Sequence, residues 1–398
     1  MNDEEYGALL LRPLDSGTPD GPSAVDVRKA MRDGLRVRRV RTWSAAATVT
    51  AGVAAVVTGG VLALAPPRTP DRLPPVLPAD PGVPAACTPA ALPTGAAGSA
   101  GVTGGDPTGV YLVGTTEPVA GGAHGVLVWR DGKLVEEIAS TSPKVSMTDI
   151  NTSGTAVGAT VEGTTTPFAL HDGAVKRMKG TGSAVAINEA GTIAGETESR
   201  SGRLPQRWAS WDAEPQMMPM PDGMTGGQAY DITEDGTVLT SVGDGTRNRA
   251  YLWHADGSVE PIDPPDLGPD QEFVQPLAFR FGWVYAQVNT PAVSRTGPGG
   301  LGQSIYRYEP GSRTWQQLTT ESYAVQVSGP HRMANMFMQD EPAVYVGKEV
   351  LRLPPLKLHD DDSFSVTVVS DNARVVAGAN LSGIAAERPV HPVIWRCR

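Results

Sequence analysis

The chain is short of reactive side chains: its 398 residues hold two cysteines, Cys87 and Cys397, and six histidines. So few thiols exclude a disulfide-dense scaffold and a cysteine-based metal cluster. No histidine pair has the His-Glu-x-x-His spacing of a zinc site, and no Walker loop, dinucleotide fingerprint or Gly-x-Ser-x-Gly elbow occurs. The acidic run Asp360-Asp361-Asp362 lacks the ligand spacing of an EF-hand and reads as a solvated turn between repeats. No catalytic, cofactor-binding or metal-ligating residue is therefore nominated. Positive charge is also scarce. The formal net charge of -10 disfavours nonspecific nucleic-acid binding, which needs a cationic surface.

One stretch lacks charge altogether, from Ser44 to Ala65. About 20 such residues span a hydrocarbon core. Trp43 stands at its edge, and Arg36, Arg38, Arg39 and Arg41 lie on one side only. The positive-inside rule then predicts a cytoplasmic tail over 1–42, a transmembrane anchor over 43–65 and an extracellular remainder. A cleaved signal peptide is the alternative; the long leading region and Pro66-Pro67 at the cleavage position argue against it. Residues 66–85 carry a proline every few positions and read as an extended spacer.

What the chain has in quantity is turns, with 46 Gly and 35 Pro. The stretch Asp149 to Gly158, Asp-Ile-Asn-Thr-Ser-Gly-Thr-Ala-Val-Gly, returns as Ala-Ile-Asn-Glu-Ala-Gly-Thr-Ile-Ala-Gly from Ala186 and as Asp-Ile-Thr-Glu-Asp-Gly-Thr-Val from Asp231. Asn151 and Asn188 can bond their own backbone two residues on, and Gly154, Gly191 and Gly236 supply the positive φ of a tight hairpin. The polar residues of the stretch are accordingly assigned to turn chemistry. Later strands end on bulky residues, Trp129, Leu170, Trp211, Trp253, Tyr308, Val346 and Trp395, mostly followed by Asp-Gly or a similar turn. Counting them predicts a seven-bladed β-propeller over 86–398, all-β, preceded by one transmembrane helix.

The last unit stops at Arg398 with no fourth strand, while Ala86–Leu92 precedes the first unit without a role there. Pairing the two ends closes the ring and removes exposed sheet edges. Cys87 and Cys397 fall in those two segments and are expected to form a disulfide.

These units resemble the HAF-type extracellular repeat, best in His391-Pro392-Val393-Ile394-Trp395 and Arg249-Ala250-Tyr251-Leu252-Trp253. The resemblance implies a propeller on an exported bacterial protein, actinobacterial given the Ala/Gly/Arg-rich anchor region, and it implies no activity. The expected role is a membrane-anchored binding scaffold whose partner is a protein or a cell-envelope polymer. Two alternatives stay open. One is an envelope hydrolase or lyase with its site at the central channel; the other is a signalling protein with a regulatory cytoplasmic tail. The long connections at 196–206, 263–272 and 290–303 emerge on one face, so Arg200, Arg203 and Arg295 are expected on the partner surface.

Overall fold

The computed structural model describes residues 84–116, 124–138, 144–160, 164–199, 202–266, 272–289, 303–319, 325–328, 332–335, 342–346, 349–356, 362–380 and 389–398. All lie in the larger of two compact units, Arg72–Arg398. They form seven four-stranded antiparallel sheets, in each of which the four strands lie side by side.

Six of the sheets are contiguous runs of four strands, numbered here in chain order. The first runs from Ala100–Gly105 to Lys133–Ile138, the second from Val145–Ile150 to Ala174–Arg177 and the third from Ser183–Ile187 to Gln216–Met217. The fourth runs from Gly226–Ile232 to Val259–Ile262, the fifth from Glu272–Arg280 to Thr314–Thr319 and the sixth from Val325–Ser328 to Glu349–Arg352. The remaining sheet is a composite of Phe364–Val369, Val375–Asn380 and His391–Cys397 with Cys87–Ala91 from the other end of the chain. Leading strands of neighbouring sheets touch all the way round, and the composite sheet touches the first and the sixth. The leading strands therefore surround an axis, and the sheets radiate from it as propeller blades.

Two points of the expected fold are corrected. Six blades, rather than seven, are self-contained in the sequence, because the strand count of a blade is completed at the end of the chain only by residues from its beginning. The described residues also hold no transmembrane helix: among them no helix is long and apolar enough to cross a membrane. The segments assigned to the tail, the anchor and most of the spacer, 1–83, lie outside the described residues.

Closure follows the register. Cys87 pairs with Cys397 and Ala91 with Val393, and the two cysteines form a disulfide across 310 residues. Phe364, Val366, Val376, Val393 and Trp395 pack beneath it with Val344 and Leu353 of the sixth sheet. The core as a whole lies between sheets. Apart from the sixth sheet, each offers a largely buried second strand, such as Val238–Gly243, in which every residue is buried.

Third-strand tryptophans fasten neighbouring blades. The Trp129 indole donates to the Pro93 carbonyl at 2.8 Å, Trp208 to Lys179 at 3.0 Å and Trp395 to Pro354 at 2.8 Å. Each acceptor lies just after the outer strand of the preceding sheet, so one ring fills core volume and satisfies its polar edge together.

Candidate functional site

Antiparallel order divides the loops between two faces. Turns joining the first to the second strand, and the third to the outer strand, emerge on one face, here the turn face. The hairpins between second and third strands, and the connections from sheet to sheet, emerge on the other, the loop face.

On the turn face the repeated stretch does what its residue types suggest, and more. Asn151 Oδ1 accepts from the Ser153 and Thr155 amides at 3.2 and 3.1 Å, and Gly154 sits at φ +82°. The other end of each Asn reaches the next blade: Asn151 Nδ2 donates to the Asn188 carbonyl at 3.2 Å, and Asn188 Nδ2 to the Thr233 carbonyl at 2.9 Å. Glu189 in turn accepts from the Thr152 amide at 3.1 Å, and Glu234 from the Glu189 amide at 3.2 Å. Adjacent turns are thus hydrogen-bonded to one another.

The aspartates that open the stretch are not turn residues, which corrects that assignment. In six sheets the leading strand carries an extra residue in its pairing, at Thr103, Thr148, Val185, Tyr230, Leu277 and Thr367, and the fifth sheet carries a second at Phe273. Such a bulge re-aims the side chains next to it. Asp149, following Thr148, accepts from its neighbour Ile150 and from the Ile187 amide of the third sheet, both at 2.9 Å. Asp231, following Tyr230, accepts from the Phe279 amide of the fifth sheet at 2.9 Å and pairs with Arg280 Nε at 3.0 Å.

The fifth sheet lost the repeated stretch because it turns in two residues, Phe281 and Gly282, both at positive φ. That shorter turn places Arg280 where the second and third sheets carry the turn Asn, and its guanidinium reaches Asp231. The Asp231 carboxylate holds the Arg280 charge above its ordinary range against the opposing effect of burial. Burial pushes the Asp149 carboxyl up to about 7, with the Arg280 charge and the Ile187 amide pulling the other way. Two carboxyls and a guanidinium therefore meet beside the axis. They can bind one another, and a carboxyl that titrates near neutrality can also exchange a proton.

The loop face is built differently. A pocket of about 420 Å³ opens at the loop end of the fourth sheet, lined by Gln228, Tyr230, Ser241 and Asn248, with Arg203 from the third sheet and Gln275 from the fifth. Gly226 and Gly243, paired across the first two strands, lie along it and add no side chain. Arg203 Nη1 is bound to Glu196 Oε1 at 2.8 Å. Burial raises the Glu196 carboxyl, and Arg203 opposes it. Burial, and then the Glu196 charge, raise the Tyr230 phenol, which stays a hydrogen-bond donor at neutral pH.

Of the residues expected on the partner surface, the structure places Arg203 on this face; Arg200 and Arg295 lie outside the described residues. His171 and His254 occupy equivalent positions, each bonded through Nδ1 to a turn threonine, Thr155 at 3.0 Å and Thr237 at 3.3 Å. Asp362 is buried rather than solvated, while Asp360 and Asp361 lie outside the described residues. The reading of residues missed Arg280, because no copy of the repeated stretch marks its position. It also missed the reach of Asp149 and Asp231, although an Asp shared by two copies and replaced by Ala186 in the third was a visible signal.

No protein-family model matches the chain, and no curated protein matches it in sequence. The HAF-type resemblance accordingly rests on the quoted residues alone. Solved structures do match. An oligogalacturonate lyase in complex with manganese gives a TM-score of 0.52 at 9% identity, covering 80% of this chain and 98% of that one. The oligogalacturonate lyase of Vibrio parahaemolyticus gives 0.52 at 11% identity, covering 79% and 98%. YCF48 bound to D1 peptide gives 0.47 at 13% identity, covering 78% and 96%. At such identities the likeness shows the β-propeller fold and nothing of the chemistry. Among the described residues no three His, Cys, Asp or Glu side chains gather as a metal site, and the manganese is a feature of that lyase structure.

Proposed function

We propose that this chain is an extracytoplasmic binding module that holds a protein or a cell-envelope polymer on its loop face. The observation that carries the reading is the contrast between the faces: adjacent turns bond one another on one, while the other opens a polar pocket beside Arg203. The Cys87–Cys397 disulfide supports an oxidising compartment, where such bonds persist. Arg200 and Arg295, expected on the same surface from the sequence, complete the proposed partner surface.

The test exchanges residues 290–303 for a short turn. The variant should unfold at an unchanged temperature and capture markedly fewer neighbours in proximity labelling on intact cells. Undiminished capture by the folded variant would sink the reading.

A second reading, an envelope hydrolase or lyase working at the axis, is favoured by one observation, the Asp149 carboxyl near 7 with Arg280 close enough to oppose that rise. It requires cleavage of an envelope polymer by the purified chain and its loss in Asp149→Asn. An equally active Asp149→Asn would remove it.

A further inference from the structure

We propose that the pocket at the loop end of the fourth sheet binds a neutral sugar unit, which rests on the loop face being the binding face. Size is the first argument. A volume of about 420 Å³ falls in the range of small-ligand sites, roughly 300–1,000 Å³.

Depth is the second. Gln228 pairs with Ser241, and two residues along each strand Gly226 pairs with Gly243, so both pairs lie on one face of the sheet. Gly243 also pairs with Asn248, and a Cβ on it would come 2.1 Å from Asn248 Oδ1. Gly226 adds no side chain to that wall, and over Gly243 the space is taken by the Asn248 amide, a polar group that can meet a ligand hydroxyl.

Charge is the third. Among the described residues Arg203 is the one charged side chain of the lining, and Glu196 already neutralises it at 2.8 Å. A ligand carboxylate would compete with Glu196 for that guanidinium, and a ligand ammonium meets no free acid among the described lining residues. What remains is a set of primary amides and hydroxyls: Gln228, Asn248, Gln275, Ser241 and Tyr230. Amides and hydroxyls both donate and accept, as each hydroxyl of a sugar does.

The fourth argument is an unmet bond. Ser241 is only 6% exposed, lines the pocket, and its Oγ has no hydrogen-bond partner. Buried hydroxyls are normally paired, so an orphan at a pocket wall points to a partner brought by the ligand.

The experiment titrates the oxidised, purified chain by calorimetry and ligand-observed NMR. Its probes are methyl glycosides and disaccharides of glucose, mannose, galactose and N-acetylglucosamine, with glucuronate and glucosamine as charged counterparts. At least one neutral sugar should bind, about tenfold or more tighter than its charged counterpart. Gln228→Ala and Ser241→Ala should each weaken it about fivefold or more, at an unchanged unfolding temperature. Removing an unpaired hydroxyl keeps the fold, so Ser241→Ala reads binding rather than stability. The proposal is overturned if no neutral sugar binds, if the charged sugars bind more tightly, or if both variants bind like the parent. Absent sugar binding combined with lost capture in the 290–303 exchange overturns the pocket and leaves the loop-face reading standing. Sugar binding with undiminished capture supports the pocket and removes the loop-face reading.

Discussion

The two faces solve the same problem, joining one strand to the next, with opposite economies. Turn-face connections run two to seven residues, and in the repeated stretch polar atoms are spent on the neighbouring blade: Asn151 on Asn188, Asn188 on Thr233, Asp149 on Ile187. Loop-face connections vary in length, and the strand ends beside them leave groups over, such as the Ser241 hydroxyl. A turn bonded on both sides resists change because each alteration strands a partner. A hairpin at the end of a finished sheet tolerates change because the core beneath it is complete. The difference teaches where this propeller keeps its strength and where it has room for recognition.

The comparison can be broken first at its covalent limit. Replacing Cys87 and Cys397 by serine releases a 310-residue closure. The chain-entropy treatment puts the loss at about 5 kcal/mol, and native disulfides usually return about 2–5. A guanidinium titration of the double variant should show the largest fall of any change here. A fall below about 1 kcal/mol would mean that hydrogen bonds alone hold the ring.

Next comes Arg280→Met, which leaves Asp231 and Asp149 without their cation. Breaking a fully buried pair costs about 3–5 kcal/mol, and the third of its surface that Arg280 still exposes lowers the expectation to about 2–3. Arg203→Met on the loop face, where the arginine side chain is 54% exposed, should cost under about 1 kcal/mol. Equal losses would erase the distinction between the faces.

The pH profile gives a sharper test. Burial raises Asp149 from 3.8 to about 7, so between those values the folded chain binds more protons than the unfolded chain. Its contribution is then fully present below about pH 4, declines as pH climbs toward 7 and is constant beyond. Asp149→Asn should remove that decline when denaturation midpoints are compared across the window. An identical slope in both proteins would show that the carboxyl ionises as freely as an exposed one.

The smallest expected effect is at Ser241, set against Asn188, whose side chain bonds Thr192 within its own turn and Thr233 in the next. Asn188→Ala should cost about 1–2 kcal/mol, against less than about 0.5 for Ser241→Ala.

Much of this architecture was legible because turns are local. Gly154, Gly191 and Gly236 stand at positive φ where the hairpins need them, and the Asn side chains bond their own backbones as that residue type does. The ends were legible by counting, since a unit without a fourth strand has an unpaired edge to cover. The axial cluster was not. Whether Asp149 ends in a turn or reaches across a blade depends on the bulge at Thr148, and strand pairing is invisible in a linear pattern. Arg280 escaped for a related reason: the two-residue turn at Phe281-Gly282 that gives it its position also erases the repeat by which it would have been aligned. The pocket escaped because Arg203, Gln228 and Gln275 come from three sheets.

The composite sheet also sets an order of events during synthesis. Cys87 and its strand are made before the blades and have no partner until His391–Cys397 has left the ribosome. Until then the chain is an open arc with two bare strand edges. Blades can form one after another, yet the circle closes only once that strand has been made. A nonsense mutation or ribosomal stall just short of residue 391 would therefore yield not a slightly shortened protein but an unclosed one, with its early thiol unpaired.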